Sequence, residues 1–265
     1  MLTRLTQVFG MTVRGTDDEA GNVYDAYFDD DAWQVRYLVV ETGPWFFGKR
    51  VLIAPEAVMR VDWDEKVVLT DLTRQQIQDS PDIDLERPVS RQQVSMVNAY
   101  YGWPAYWMGG PVAGMTPAGG YPVAIAPMSA RPASEQQPEP VAAEERERNP
   151  DLRSAREVLG YEVRAQDDDA GVVDDLLLDE SWVIRYLVID TRRILPGKKV
   201  LLAPPWTERI SWTTRRVEVR TTSETIRSSP EYDPTSPVDR DYERRLREHY
   251  GEPRLPAREP EGRRR

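Results

Sequence analysis

The sequence predicts a mainly β protein: two small antiparallel β-barrels in tandem, each followed by a short helical tail and joined by a disordered linker. Three observations carry that prediction. First, the chain repeats itself. Gly10, Ala20-Gly21 and Asp25 return 150 residues on as Gly160, Ala170-Gly171 and Asp175. Arg36-Tyr37-Leu38-Val39-Val40 returns 149 residues on as Arg185-Tyr186-Leu187-Val188-Ile189, and that offset holds through Trp63 and Trp212 to Tyr101-Gly102 and Tyr250-Gly251. A repeat this long sets the architecture of both halves at once. Second, each copy reads as short β-branched and aromatic runs separated by Gly, Pro and Asp turns. Third, the copies are separated by Pro-, Gly- and Glu-rich sequence that cannot build a core.

The elements follow in order. Residues 12–17 are strand-like, and Asp17 to Gly21 forms a turn in which Gly21 supplies a positive φ. Residues 22–28 form the next strand, and Asp29 to Ala32 turn the chain again. Residues 35–41 are apolar on both faces apart from Arg36, which is the pattern of a buried strand. Gly43-Pro44 breaks it. Residues 49–54 and 67–70 complete the set. Thr73 then caps a short helix, with Gln76 at the capping-box position, and Ser80-Pro81 ends it. The second copy has its strands at 162–166, 172–178, 183–190, 198–203 and 216–220. Ser154 and Glu157 form a capping box for a lead-in turn before it. A further helix is expected over 91–99. The boundaries are 1–86 for the first barrel, 87–107 for its helical and aromatic tail, and 108–150 for the linker. The second barrel spans 151–235, and a helical tail with a disordered end spans 236–265.

The chain has no cysteine and a net charge of −10. Disulfides, thiolate metal sites and cysteine nucleophiles are thereby excluded. The acidic balance argues against broad attraction to nucleic acid or anionic lipid. No window approaches the run of about 20 apolar residues that a membrane span needs. The N-terminus runs straight into the first repeat without an apolar leader, so a soluble, cytoplasmic protein is expected.

The order of motifs resembles the PRC-barrel family, named for the cytoplasmic barrel of the photosynthetic reaction centre H subunit. Gly-x-x-Val is followed by Ala-Gly-x-Val-x-Asp, Val-Arg-Tyr-Leu-Val-Val, Gly-Lys and Ala-Pro. Pro88-Val89-Ser90-Arg91 and Tyr100-Tyr101-Gly102-Trp103-Pro104 resemble a tail common in bacterial proteins with this domain. The resemblance implies an assembly module. In one relative the barrel sits against membrane pigment–protein subunits. In another it accompanies an RNA-related domain in a ribosome-maturation factor.

No acid, base and nucleophile stand together at a spacing that implies catalysis, and no phosphate-binding loop is present, so neither enzyme activity nor a cofactor is expected. The acidic turns Asp17-Asp18-Glu19, Asp29-Asp30-Asp31 and Asp167-Asp168-Asp169 carry consecutive carboxylates. Calcium loops alternate their ligands instead, so these read as solvated turns and not as metal sites. Asp25 with Arg36, and Asp175 with Arg185, are expected to form structural ion pairs across a hairpin. The single histidine, His249, replaces Tyr100 of the first copy and reads as an exposed polar residue on a tail helix.

Aromatic clusters carry the interaction signal. Trp45, Phe46 and Phe47, matched by Ile194-Leu195-Pro196, lie at a hairpin tip and either plug a barrel end or contact a partner. Tyr101, Trp103, Tyr106 and Trp107 form a second cluster that either straps across its own barrel or docks on another chain. The expected function is a non-catalytic scaffold or adaptor with protein partners. The alternatives are peripheral assembly of a membrane photosynthetic or electron-transfer complex, reached through a partner, and an accessory role in RNA maturation. The barrels are expected to pair as an intrachain pseudo-dimer or in a homodimer.

Overall fold

A computed structural model describes residues 2–43, 48–83, 91–106, 152–191 and 197–251. The expected linker over 108–150, the tip aromatics Trp45, Phe46 and Phe47 with their counterparts Ile194-Leu195-Pro196, and Trp107 lie outside the described residues. The chain divides into two compact units. One comprises residues 1–84 together with 151–265, and the other residues 85–150. Both repeats therefore belong to one unit.

In the first half the strands are β1 (Thr3–Arg4), β2 (Thr12–Arg14), β3 (Glu19–Asp29), β4 (Gln34–Glu41), β5 (Arg50–Ile53), β6 (Val58–Asp62) and β7 (Val67–Thr70). Helix α1 (Arg74–Asp79) follows. The second half repeats this with β8 (Leu152–Ser154), the one-turn helix α3 (Ala155–Val158), β9 (Glu162–Arg164), β10 (Asp169–Leu178), β11 (Ile184–Asp190), β12 (Lys199–Leu202), β13 (Thr207–Ser211) and β14 (Arg216–Val219). Helices α4 (Ser223–Ser228) and α5 (Arg240–Tyr250) close it. Helix α2 (Arg91–Tyr101) lies in the smaller unit.

Each half forms one seven-stranded sheet with the same topology. The order is β5-β4-β3-β2-β7-β6 in the first and β12-β11-β10-β9-β14-β13 in the second. The path begins on β5 and ends on β6, which follow one another in the chain through a single 3-10 turn at Pro55–Ala57. A sheet whose end strands are joined so closely must roll, as a small barrel does. The pairing is not wholly antiparallel, because β2 runs parallel to β7 and β9 parallel to β14.

The core matches the expected buried strands. Leu38, Val39 and Val40 on β4, Val51, Leu52 and Ile53 on β5, and Leu187, Val188 and Ile189 on β11 are essentially inaccessible. Burial of both faces explains why these runs lack polar alternation. Helix α1 has the expected box: Thr73 accepts from the Gln76 amide, and the Gln76 side chain accepts from the Thr73 amide at 2.8 Å.

Gly21 has the expected positive φ, but not in a turn. The turn ends at Asp18 and β3 begins at Glu19, so Gly21 lies inside a strand. Its role is close approach. A Cβ there would sit 2.2 Å from the Glu41 carbonyl oxygen, and one on Gly171 2.4 Å from that of Asp190. The pleat of β3 against β4 leaves room for hydrogen only.

The seventh strand of each sheet comes from the other half. β1 pairs antiparallel with β10, setting Thr3 opposite Leu178 and Arg4 opposite Leu177. β8 pairs antiparallel with β3, setting Arg153 opposite Phe28 and Ser154 opposite Tyr27. The hairpin tips also meet. The Val35 amide donates to the Trp182 carbonyl at 2.9 Å, and the Ile184 amide to the Trp33 carbonyl at 2.7 Å. Gln34 and Val183, equivalent positions in the two halves, bridge each other. A residue that faces its own counterpart marks a pseudo-twofold axis, and the contact around it is isologous.

Candidate interaction site

The half-to-half joint is built around two buried carboxylates. Each of β3 and β10 carries a bulge just before its carboxylate, at Tyr24 and at Asp174. Bulges re-aim the residues beside them. Asp25 accepts from the Ser154 hydroxyl at 2.5 Å, the Arg156 amide at 2.9 Å and the Ala26 amide at 2.7 Å. Asp175 accepts from the Thr6 hydroxyl at 2.5 Å, the Thr6 amide at 3.2 Å and the Leu176 amide at 2.8 Å. Each carboxylate thus anchors the lead-in turn of the opposite half. The equivalent amides, Arg156 and Thr6, donate in both. The hydroxyl comes from different positions, Ser154 in one and Thr6 in the other. Ser154 also accepts from the Glu157 amide at 3.0 Å, which caps α3. Burial pushes both carboxyls above the ordinary aspartate range, and the hydroxyl and amide donors oppose that shift without cancelling it.

The ion pairs expected of these aspartates are drawn elsewhere. Arg36 pairs with Asp29 at 3.1 Å, and Arg185 with Asp179 at 2.6 Å. The cause is the register of the β3–β4 hairpin. Tyr27 faces Tyr37 and Phe28 faces Val35, which leaves Arg36 as the extra residue beside Asp29. Asp25 faces Val39, three residues farther along β4, or about 10 Å at the rise of a strand. Arg185 occupies the same extra position between Tyr186 and Ile184.

The acidic turns hold backbone. Asp17 accepts from the Arg74 amide at 2.7 Å, and Asp167 from the Ser223 amide at 2.7 Å, so each turn anchors the first residue of a helix more than fifty positions away. Asp29 accepts from the Asp31 and Ala32 amides at 3.0 and 3.1 Å. Among the described residues no group of three or more His, Cys, Asp or Glu side chains gathers as a metal would require. No helix among them is long and apolar enough to cross a membrane.

His249 is not simply exposed. Its Nε2 lies 2.7 Å from the Thr225 carbonyl oxygen, so α5 is pinned to α4. Tyr242 reinforces the docking by donating its hydroxyl to the Pro230 carbonyl at 3.0 Å. In the smaller unit, Tyr101 and Trp103 stack with ring centres 4.1 Å apart, while Tyr100 remains 42% exposed. Tyr106 is half-buried.

One surface feature went unread in the sequence. Trp63 follows β6 and Trp212 follows β13, at equivalent positions, and they are 43% and 39% exposed. Met59 on β6 is 71% exposed. The signal was present, since both halves keep a tryptophan in an otherwise polar turn, but it served only as a marker of the repeat.

This geometry defines a class: a pair of small rolled β-sheets joined by exchanged strands. Residues 3–77 match the PRC-barrel domain family. An uncharacterized protein of Deinococcus radiodurans is 32% identical over 77 residues. That match covers 29% of this chain and 27% of the length of the relative.

Proposed function

We propose that the protein is a non-catalytic assembly module made of two PRC-barrels, the second half being a further copy of the domain, and that it binds other proteins. The observation that carries this reading is the pair Trp63 and Trp212. Scattered single apolar residues on a surface are ordinary. A tryptophan kept in both halves, in the same turn, and left well exposed in both is not a core residue. Tryptophan, with Tyr and Arg, is enriched among the residues that anchor protein contacts. The residues with clear chemistry, the buried and turn aspartates, are engaged with backbone and hydroxyl donors of the protein itself. They support architecture and offer no acid, base and nucleophile in one place.

The test is affinity purification from native cells with membranes retained, comparing the wild-type chain with Trp63→Ala/Trp212→Ala. The expected result is a reproducible partner lost from the variant while its far-UV circular dichroism is unchanged. Identical partner sets for both proteins would remove the support of these residues. Turnover of a substrate by the purified protein would overturn the non-catalytic reading.

A further inference from the structure

We infer that the joint between the halves carries a pairing code, so that the first half recognises the second in preference to another copy of itself. The backbone part of the joint is isologous and would serve a like pair equally well. The side chains around it are not symmetric.

On the first half the surface that receives β8 is acidic and aromatic. Asp30 accepts from Arg153 Nε at 2.7 Å, and both side chains are largely covered. Arg156 lies over the Tyr24 ring at 4.5 Å and the Phe9 ring at 5.1 Å. Its Nη2 and Nε also donate to the Tyr24 carbonyl at 2.7 and 2.9 Å. The Tyr24 carbonyl sits at a bulge, which turns it away from the β4 ladder. Cationic donors on one side and an acidic, aromatic receptor on the other form a complementary set.

The reciprocal surface keeps an acid, Glu180, at the position of Asp30, but lacks the rings. At the positions of Arg153 and Arg156 the first half has Thr3 and Thr6. A pair of first halves would set threonines against Asp30, Tyr24 and Phe9, and the guanidinium contacts would vanish. At the positions of Phe9 and Tyr24 the second half has Leu159 and Asp174. A pair of second halves would still offer Arg153 an acid, Glu180, but would offer Arg156 no ring, only the Asp174 carboxylate that Lys199 already holds at 2.6 Å. Both like pairs keep the strands and lose the Arg156 contacts on which the code rests. Negative selection of this kind is how a symmetric joint becomes specific.

The test places a protease site between residues 107 and 151 of the full chain and cuts it after purification. The halves are unfolded in denaturant, re-paired by dilution, and counted by native mass spectrometry. Mixed pairs should exceed like pairs by about tenfold or more, the range that close interfacial charge pairs reach. Arg156→Thr should lower that excess about tenfold, because its ring and carbonyl contacts are the ones like pairs lack. The double variant Arg153→Asp/Asp30→Arg should raise the excess above that of the wild type, because a pair of second halves would then set a carboxylate at position 153 against Glu180. A gain in preference separates recognition from mere damage to folding. Like pairs as abundant as mixed ones, failure of the halves to re-pair, an Arg156→Thr variant with unchanged preference, or a double variant no more selective than the wild type would each overturn the inference.

Discussion

At the residue scale, Asp25 and Asp175 bear on the acid behaviour of the fold. Burial raises both pKa values above the ordinary 3.8. A carboxyl whose folded pKa is raised binds more protons in the native state than in the unfolded one. Stability therefore falls as pH rises from about 3.8 toward the folded pKa, and stays level above it. Asp179 acts in the opposite sense. Burial pushes it up, but the Val183 amide, Arg185 and the Ser181 amide outweigh that and leave it lowered. Its contribution is present above 3.8 and is lost as pH falls through its folded pKa. Asp25→Asn should remove its share of the first slope, leaving that of Asp175 and the opposite slope of Asp179. Chemical denaturation across pH 3 to 7 checks this, and a variant with the wild-type slope would show that Asp25 does not titrate differently on folding. Gly21→Ala tests another residue-scale constraint. Its methyl would collide with the Glu41 carbonyl, which is backbone in a buried ladder and has little room to yield. A loss of about 1 to 3 kcal/mol is expected from overpacking, read from the shift in denaturant midpoint.

At the element scale, the short helices depend on distant carboxylates. Helix α4 has six residues, far below the length at which a helix persists alone. Its first amide is held by Asp167, and Ser223 Oγ donates to the same carboxylate at 3.0 Å. The Ser223 amide is the main cause of the lowered Asp167 pKa. Asp167→Ala should therefore speed amide exchange across residues 223–228 while the β10–β11 core stays protected. Equal protection of α4 in the variant would assign its order to packing of Ile226 alone. The elements also mark where sequence reading succeeds. Strand β4 and its twin β11 were legible because burial of both faces leaves an unbroken apolar run. The α1 capping box was legible because Thr73 and Gln76 interact within one turn. Strands β6 and β13 were missed. Met59-Arg60 and Glu208-Arg209 face solvent, and no period separates them from loop. Strands β1 and β8 were missed for a different reason, since two or three residues carry no period and their partners lie far along the chain. The Asp25–Arg36 pairing failed because the hairpin register sets Asp25 opposite Val39, and register across a hairpin has no signature in single residues.

At the scale of the whole molecule, exchange of the lead-in strands couples the halves. A substitution in the first six residues acts on a sheet made of residues 162–219. Thr6→Val keeps the shape of the side chain and removes the hydroxyl that Asp175 accepts. Asp175 is 2% exposed, so solvent cannot replace the donor. Leaving a buried acceptor short of a partner costs about 1 to 3 kcal/mol. If the halves were independent, that cost would appear as fraying of the N-terminus. Because Arg4 pairs with Leu177 and Asp175 sits inside β10, it should appear as lost exchange protection along Asp169–Leu178 and, through the ladder, along Ile184–Asp190. Hydrogen exchange resolved by peptide distinguishes the two outcomes. Protection lost only over residues 2–14 would mean that each sheet stands without its borrowed strand, whereas loss across β10 and β11 would make the two-half unit the smallest cooperative fold of this chain.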